Sequence, residues 1–137
     1  MYNILIVDDE KMVSEVLQQI LSRFGYHAEV ALGGHEALCM FDDGLFDLVI
    51  TDIRMPGVDG YDVVRHIRNS DRPYTPIIGI SGTPWLLKDH EFDGIIPKPF
   101  GTQTLLSAVK SVMSRALALH RGAYGKTLPA EGESHLT

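Results

Sequence analysis

Asp52 closes the run Phe46-Asp47-Leu48-Val49-Ile50-Thr51-Asp52, and Ile53-Arg54-Met55-Pro56-Gly57 follows it. An apolar run rich in β-branched residues reads as a buried strand, and Pro56-Gly57 reads as a turn. The expectation is a carboxylate exposed at the edge of the sheet but held on a rigid element, a good place for chemistry. Three other apolar runs end on reactive groups. Tyr2 to Val7 meets Asp8-Asp9-Glu10, Pro76 to Ile80 meets Ser81-Gly82, and Gly94 to Pro97 meets Lys98-Pro99-Phe100. In an open doubly wound sheet, sites form at the carboxyl ends of strands near the point where strand order reverses. With the order 2-1-3-4-5, strands one and three are neighbours. Asp8, Asp9 and Asp52 then share one pocket, with the Ser81 hydroxyl and the Lys98 ammonium beside them.

Three carboxylates that close repel one another unless a cation joins them. Oxygen-only ligands suit Mg²⁺ (or Mn²⁺), which takes a few protein oxygens and keeps several waters. No Cys/His pattern nearby suggests zinc. Asp9 and Asp52 are read as direct ligands and Asp8 as acting through a metal-bound water. The backbone carbonyl of Arg54 is a candidate third protein ligand. A metal with open positions, a lysine and a hydroxyl form a receptacle for a phosphoryl group, whose transfer needs positioning and charge neutralisation more than a strong base. Asp52 is then the nucleophile that forms an aspartyl phosphate. Lys98 stabilises the phosphoryl charge, and Ser81 Oγ donates a hydrogen bond to it. Each residue alone has a plainer reading: helix capping for Asp8-Asp9-Glu10, a turn for Asp52, a loop for Ser81-Gly82, a solvated charge for Lys98. Their coincidence at four strand ends in the right order favours the site.

The elements that must position these groups alternate along the chain. Strand-like runs at residues 2–7, 26–31, 46–52, 76–80 and 94–97 are short and apolar rather than alternating, as in a parallel sheet covered on both faces. Between them the period changes to helical. Val13, Val16, Leu17, Ile20, Leu21 and Phe24 mark a first inward face, Ala37, Leu38 and Phe41 a second, and Val63, Val64 and Ile67 a third. Thr83-Pro84 starts a short helix through about Glu91. Leu105, Leu106, Val109, Val112, Met113, Ala116 and Leu117 mark a long last helix from Thr102. The fold class is therefore α/β, a five-stranded doubly wound parallel sheet with five helices, the fourth shortened. One domain is expected over residues 2–119, with a disordered tail over 120–137.

The 137 residues, 45% hydrophobic and 22% charged, are ordinary for a globular domain. The net charge of -6, with scattered Lys and Arg, disfavours direct nucleic-acid binding. No apolar run approaches a membrane span, and no basic segment precedes the first strand to suggest a signal peptide. The one cysteine, Cys39, excludes an internal disulfide, fits a reducing cytoplasm and is expected to pack in the second helix. The six histidines show no ligand spacing and are expected at the surface.

Asp8-Asp9, Asp52 with Met55-Pro56 and Asp59-Gly60, Ser81-Gly82 and Lys98-Pro99-Phe100 together resemble the receiver domain of bacterial two-component response regulators, here of a stand-alone type. The resemblance implies a flavodoxin-like fold and a sensor histidine kinase or histidine phosphotransfer protein that donates phosphate to Asp52. It also implies a cis Lys98–Pro99 peptide, an unknown downstream protein partner, and a monomer or weak homodimer. Two departures stand out. The family's switch uses an aromatic three residues before the lysine, and this chain has Ile95 there. Only sixteen residues, Gly82 to Pro97, separate Ser81 from Lys98, shorter than is usual in the family. Two readings therefore stand beside the switch: a phosphorylation-independent interaction module, and a phosphate sink or relay intermediate with an altered output face. An aspartyl phosphatase is disfavoured because Arg54, two residues beyond Asp52, is no acid. An FMN carrier is disfavoured by the acidic loop after strand one.

Overall fold

The structure is a computed structural model, and it describes residues 1–84 and 91–125. Strands β1 (Asn3–Val7), β2 (His27–Ala31), β3 (Leu48–Asp52), β4 (Ile77–Ser81) and β5 (Gly94–Pro97) form one parallel sheet in the order β2-β1-β3-β4-β5. Helices α1 (Lys11–Arg23), α2 (Gly34–Asp43), α3 (Gly60–Arg68) and α4 (Thr102–Gly125) are the four among the described residues. The short helix expected from Pro84, with Trp85, lies outside them, as do residues 126–137. Helix α4 continues past Leu119, where the apolar spacing fades.

Both faces of the sheet are covered, which is why the strands read as continuous apolar runs. Side chains alternate across a strand. Ile4, Ile6, Leu48, Ile50, Ile78, Ile80 and Ile96 meet α1 and α4 through Leu17, Leu21, Leu105, Val109 and Val112. On the other face, Leu5, Val7, Val49 and Ile77 meet α2 and α3 through Ala37, Phe41, Val63, Val64 and Ile67. Full burial of each such side chain stabilises the fold by about 1.5–3 kcal/mol.

Four helix residues expected to pack are exposed; one of them, Leu117 at the end of the apolar run of α4, is 43% exposed. Val16 and Phe24 are each 54% exposed. The buried line of α1 is Ser14, Leu17 and Leu21. Val16 lies about 100° around the helix from Leu17, and Phe24 is already the C-cap. Cys39 is exposed, because Ala37 and Phe41, one turn apart, define the buried face of α2 and Cys39 falls opposite.

The loop after β3 is fixed by close backbone contact. A Cβ on Gly60 would lie 2.7 Å from the carbonyl oxygen of Asp52 and from Cα of Ile53, and the Gly60 N–H donates to Ile53 O at 2.9 Å. Asp59 and Asp62 form a reciprocal capping box at the start of α3. The Asp59 N–H is the main reason the Asp62 carboxyl sits below its ordinary range. At the far end of α3, Arg68 donates to the carbonyls of Pro73, Thr75 and Glu91 and to Asp93 Oδ2, which also accepts the Ile77 N–H. This hub fixes the entries to β4 and β5. Arg72 donates to the carbonyls of Phe41 and Gly44 and lies 4.4 Å over the Phe41 ring, capping α2.

Gly60→Ala should destabilise the domain by about 1–3 kcal/mol, because backbone, not a flexible side chain, must yield. Gly82→Ala, with open space around its Cβ, should stay within about 0.5 kcal/mol of the parent. Urea unfolding of the two variants checks this, and equal stabilities would contradict the close approach.

Candidate functional site

The strand register brings the reactive residues together. Val7 pairs with Thr51, so Asp8, the next residue, lies beside Asp52. Asp52 pairs with Ile80, and Ser81 with Pro97, which sets Ser81 and Lys98 on the far side of the same end. By the alternation, Asp8 continues the series Ile4–Ile6 and Asp52 the series Leu48–Ile50, so both carboxylates leave the sheet on one face. Asp9, Glu10, Asp52, Arg54, Ser81 and Lys98 line a cleft of about 350 Å³ there. A larger cleft of about 970 Å³ lies toward the other end of β4 and β5. Of its charged groups, Arg68, Asp93 and Arg115 are tied to one another and to backbone, and none of the reactive residues at the carboxyl ends of the strands lines it.

Asp52 is only 6% exposed; it is a residue of the cleft floor rather than an exposed strand end. β3 ends at Asp52, and the loop fastened by Gly60 turns against its backbone. Asp52 Oδ1 accepts the Ile53 N–H at 2.9 Å and lies 3.3 Å from Lys98 Nζ. The Lys98 side chain is 32% exposed, and its backbone N–H donates to Ser81 O at 2.8 Å. The Lys98–Pro99 peptide is cis. Ser81 is buried, and its Oγ accepts the Thr83 N–H at 3.0 Å, leaving the hydroxyl proton free to donate.

Asp8 is 1% exposed. Its Oδ1 accepts the Glu10 N–H at 2.9 Å, but Oδ2 is a buried oxygen without a hydrogen-bond partner. Burial is the main cause that pushes the Asp8 carboxyl up to about 6, with the Asp52 charge adding to it; the Glu10 N–H and Lys98 oppose the shift. Oxygens of Asp8, Glu10 and Asp52 all lie within 4.8 Å of one another. Asp9 lines the cleft but is exposed and is not in this close triad. Arg54 is exposed at the rim. An orphaned buried carboxylate oxygen among all-oxygen donors fits a hard divalent cation.

Glu10 is the member of the cluster that the sequence concealed. It is the N-cap of α1, and its side chain makes no capping hydrogen bond. The available signal was its type, since Glu is not among the preferred N-cap residues.

The profile described as "Response regulator receiver domain" matches residues 4–110. The chain belongs to that family. It is 33% identical over 132 residues to the probable transcriptional regulator ycf27 of Guillardia theta, covering 94% of this chain and 51% of that protein. It is 30% identical to the transcriptional regulatory protein TrcR of Mycobacterium tuberculosis, covering 88% of this chain and 48% of that one. The chain thus spans about half the length of the curated relatives it matches. Among solved structures it resembles the response regulator TrrA of Thermotoga maritima in complex with Mg²⁺-BeF, at TM-score 0.75 and 36% identity over 82% of this chain and 99% of that one. It also resembles the chemotaxis response regulator CheY4 of Vibrio cholerae, at TM-score 0.77 and 30% identity over 82% of this chain and 98% of that one. The receiver fold and its strand order are those expected from the sequence.

The raised Asp8 value has a stability consequence. Below about pH 3.8 the group is protonated folded and unfolded, and contributes nothing. Between there and about pH 6 only the folded state keeps the proton, so stability falls as pH rises through that window. Above it the buried charge costs on the order of 2–3 kcal/mol. Asp8→Asn should therefore stabilise the metal-free protein at neutral pH, and the advantage should vanish toward pH 4. Urea unfolding with a chelator across pH measures this; a difference that does not change with pH would contradict it.

Proposed function

We propose that this receiver is a phosphoacceptor switch in a two-component phosphorelay, with Asp52 as the phosphoryl acceptor. The observation that carries the reading is the Lys98 ammonium 3.3 Å from a nearly buried Asp52 carboxylate, in a cleft with two more carboxylates. An Asp52 oxygen forms a bond to phosphorus as the bond from phosphorus to a partner's imidazole nitrogen breaks. The electron pair stays on the ring, which then takes up a proton. Lys98 needs only a small movement to pass from the carboxylate to the phosphoryl oxygens. Ser81 Oγ donates its free proton to one of them. Asp9 and Asp52 directly, Asp8 through water and the Arg54 carbonyl would hold Mg²⁺ or Mn²⁺, which when bound neutralises charge on the transferring group. The domain comprises residues 2–119. It is a signalling domain that catalyses only its own phosphorylation and dephosphorylation.

The donor is a phosphohistidine of a sensor kinase or phosphotransfer protein in the cytoplasm, and a protein partner reads the result. The domain itself does not contact nucleic acid, in keeping with its net charge of -6, and it works as a monomer or weak homodimer. One observation favours a second reading, a relay or sink without the usual output. Ile95, 36% exposed on β5 opposite Gly79, carries no aromatic ring to move.

Incubation with Mg²⁺ and a small phosphodonor should add one phosphoryl group, and Asp52→Asn should abolish the addition. Lys98→Ala should keep the fold and slow phosphorylation by roughly 10²-fold. Intact-mass kinetics and circular dichroism measure both. Undiminished labelling of Asp52→Asn would defeat the assignment. Beryllofluoride with Mg²⁺, the ligand of the TrrA complex, separates the two readings: backbone amide shifts along β5 and α4 indicate a switch, and shifts confined to the cleft indicate a sink.

A further inference from the structure

We infer that Glu10 is a working carboxylate of the divalent-cation site rather than a cap of α1. The inference rests on the Mg²⁺ reading of the cleft and adds a ligating group to it. Glu10 holds the N-cap position with extended backbone, φ -92° and ψ 106°. Its carbonyl accepts the Ser14 N–H at 3.0 Å, and its own N–H is taken by Asp8 Oδ1. The backbone therefore performs the capping geometry, while the side chain makes no capping bond. The first turn of α1 has no acidic residue and begins with Lys11, so the helix gives up both side-chain capping and favourable charge at its positive end. The carboxylate is instead turned to the cleft, within 4.8 Å of oxygens from Asp8 and Asp52.

A cluster of acids at a helix start is commonly no more than a solvated face. Here a second feature points to a ligand: Asp8 Oδ2 is buried in the same cluster without a hydrogen-bond partner. Placing a further negative group beside that oxygen and Asp52 worsens the cluster unless a cation joins them. Glu10 reaches the cation directly or through one of its waters. It raises the affinity of the cleft for divalent ions, because carboxylate number tunes such sites. The ligand class is a hard divalent cation, Mg²⁺ or Mn²⁺.

Isothermal titration of the full chain with MgCl₂ and with MnCl₂ tests this, using Glu10→Gln, Glu10→Ser and the exposed Glu15→Gln one turn further along α1. Glu10→Gln and Glu10→Ser should each bind about 10-fold more weakly, and Glu15→Gln within about twofold of the parent, since Glu15 belongs neither to the carboxylate cluster nor to the cleft lining. Serine is a preferred N-cap, so Glu10→Ser should also raise the metal-free melting temperature by roughly 2–5 °C. Binding by Glu10→Gln and Glu10→Ser equal to that of the parent would overturn the role of Glu10 alone. So would a lowered metal-free melting temperature in Glu10→Ser, or an equal loss in Glu15→Gln, which would mark a diffuse field. A parent protein that binds neither ion would overturn the cation reading itself.

Discussion

The structure depends on how acids that repel one another are held together at one end of a sheet. Asp8 and Asp52 end neighbouring strands, both nearly closed to solvent, and one ammonium, Lys98, touches the pair's outer member. Their mutual repulsion, on the order of a few kcal/mol at protein-surface dielectric, and the lost hydration of Asp8 both act against folding. What holds them is the register of β1 against β3, set by side chains buried on both faces. A one-residue slip would move every one of those side chains to the opposite face. The site is tense because the core around it cannot move. Functional positions are where local rules are expected to be broken and offset elsewhere, and the orphaned oxygen of Asp8 is such a break.

The same rigidity explains the glycines and caps around the site. Gly60 lets α3 begin directly against the Asp52 backbone. The Asp59–Asp62 box starts that helix without help from the cleft. α1, on the other side of Asp52, lacks any side-chain cap. The two helices that leave the site are thus built on opposite logic: one end is closed on itself, and the other leaves its acid to the cleft. Far from the chemistry, Arg68 gathers three carbonyls and Asp93. The entries to β4 and β5, which carry Ser81 and Lys98 at their ends, are therefore fixed independently of what happens at Asp52.

Much of this was legible in the sequence because parallel strands are short, apolar and punctuated by polar residues at their carboxyl ends. Asp8, Asp52, Ser81 and Lys98 could be placed together once the strand order was read, and the family's cis Lys98–Pro99 carried over intact. What was not legible depends on side-chain direction. Val16 differs from Leu17 by about 100° of helix, and Cys39 from Ala37 and Phe41 by half a turn. The hydrophobic pattern alone makes such stripes too wide. Asp52 was expected to be exposed, because a strand end does not reveal how the neighbouring strand ends close around it. Glu10 was hidden for a related reason: an acid before a helix is read as a cap, and only the structure shows that its carboxylate turns away.

On the outward path from the site, the register is informative. Gly79 pairs with Ile95 and Ser81 with Pro97, so by the alternation Ser81 and Ile95 emerge on the same face of adjacent strands. Between them stands a glycine. The space over it is filled by Phe92, in contact range of the Gly79 Cβ position together with Ile53, and the Phe92 ring meets Tyr61 edge-on at 5.7 Å. The aromatic bulk on this face therefore comes from a residue before β5, buried and packed against α3, rather than from β5 itself. An aliphatic, β-branched Ile95 has few rotamers to exchange. Ser81 and Ile95 are thus linked by a short, stiff stretch of β4 and β5.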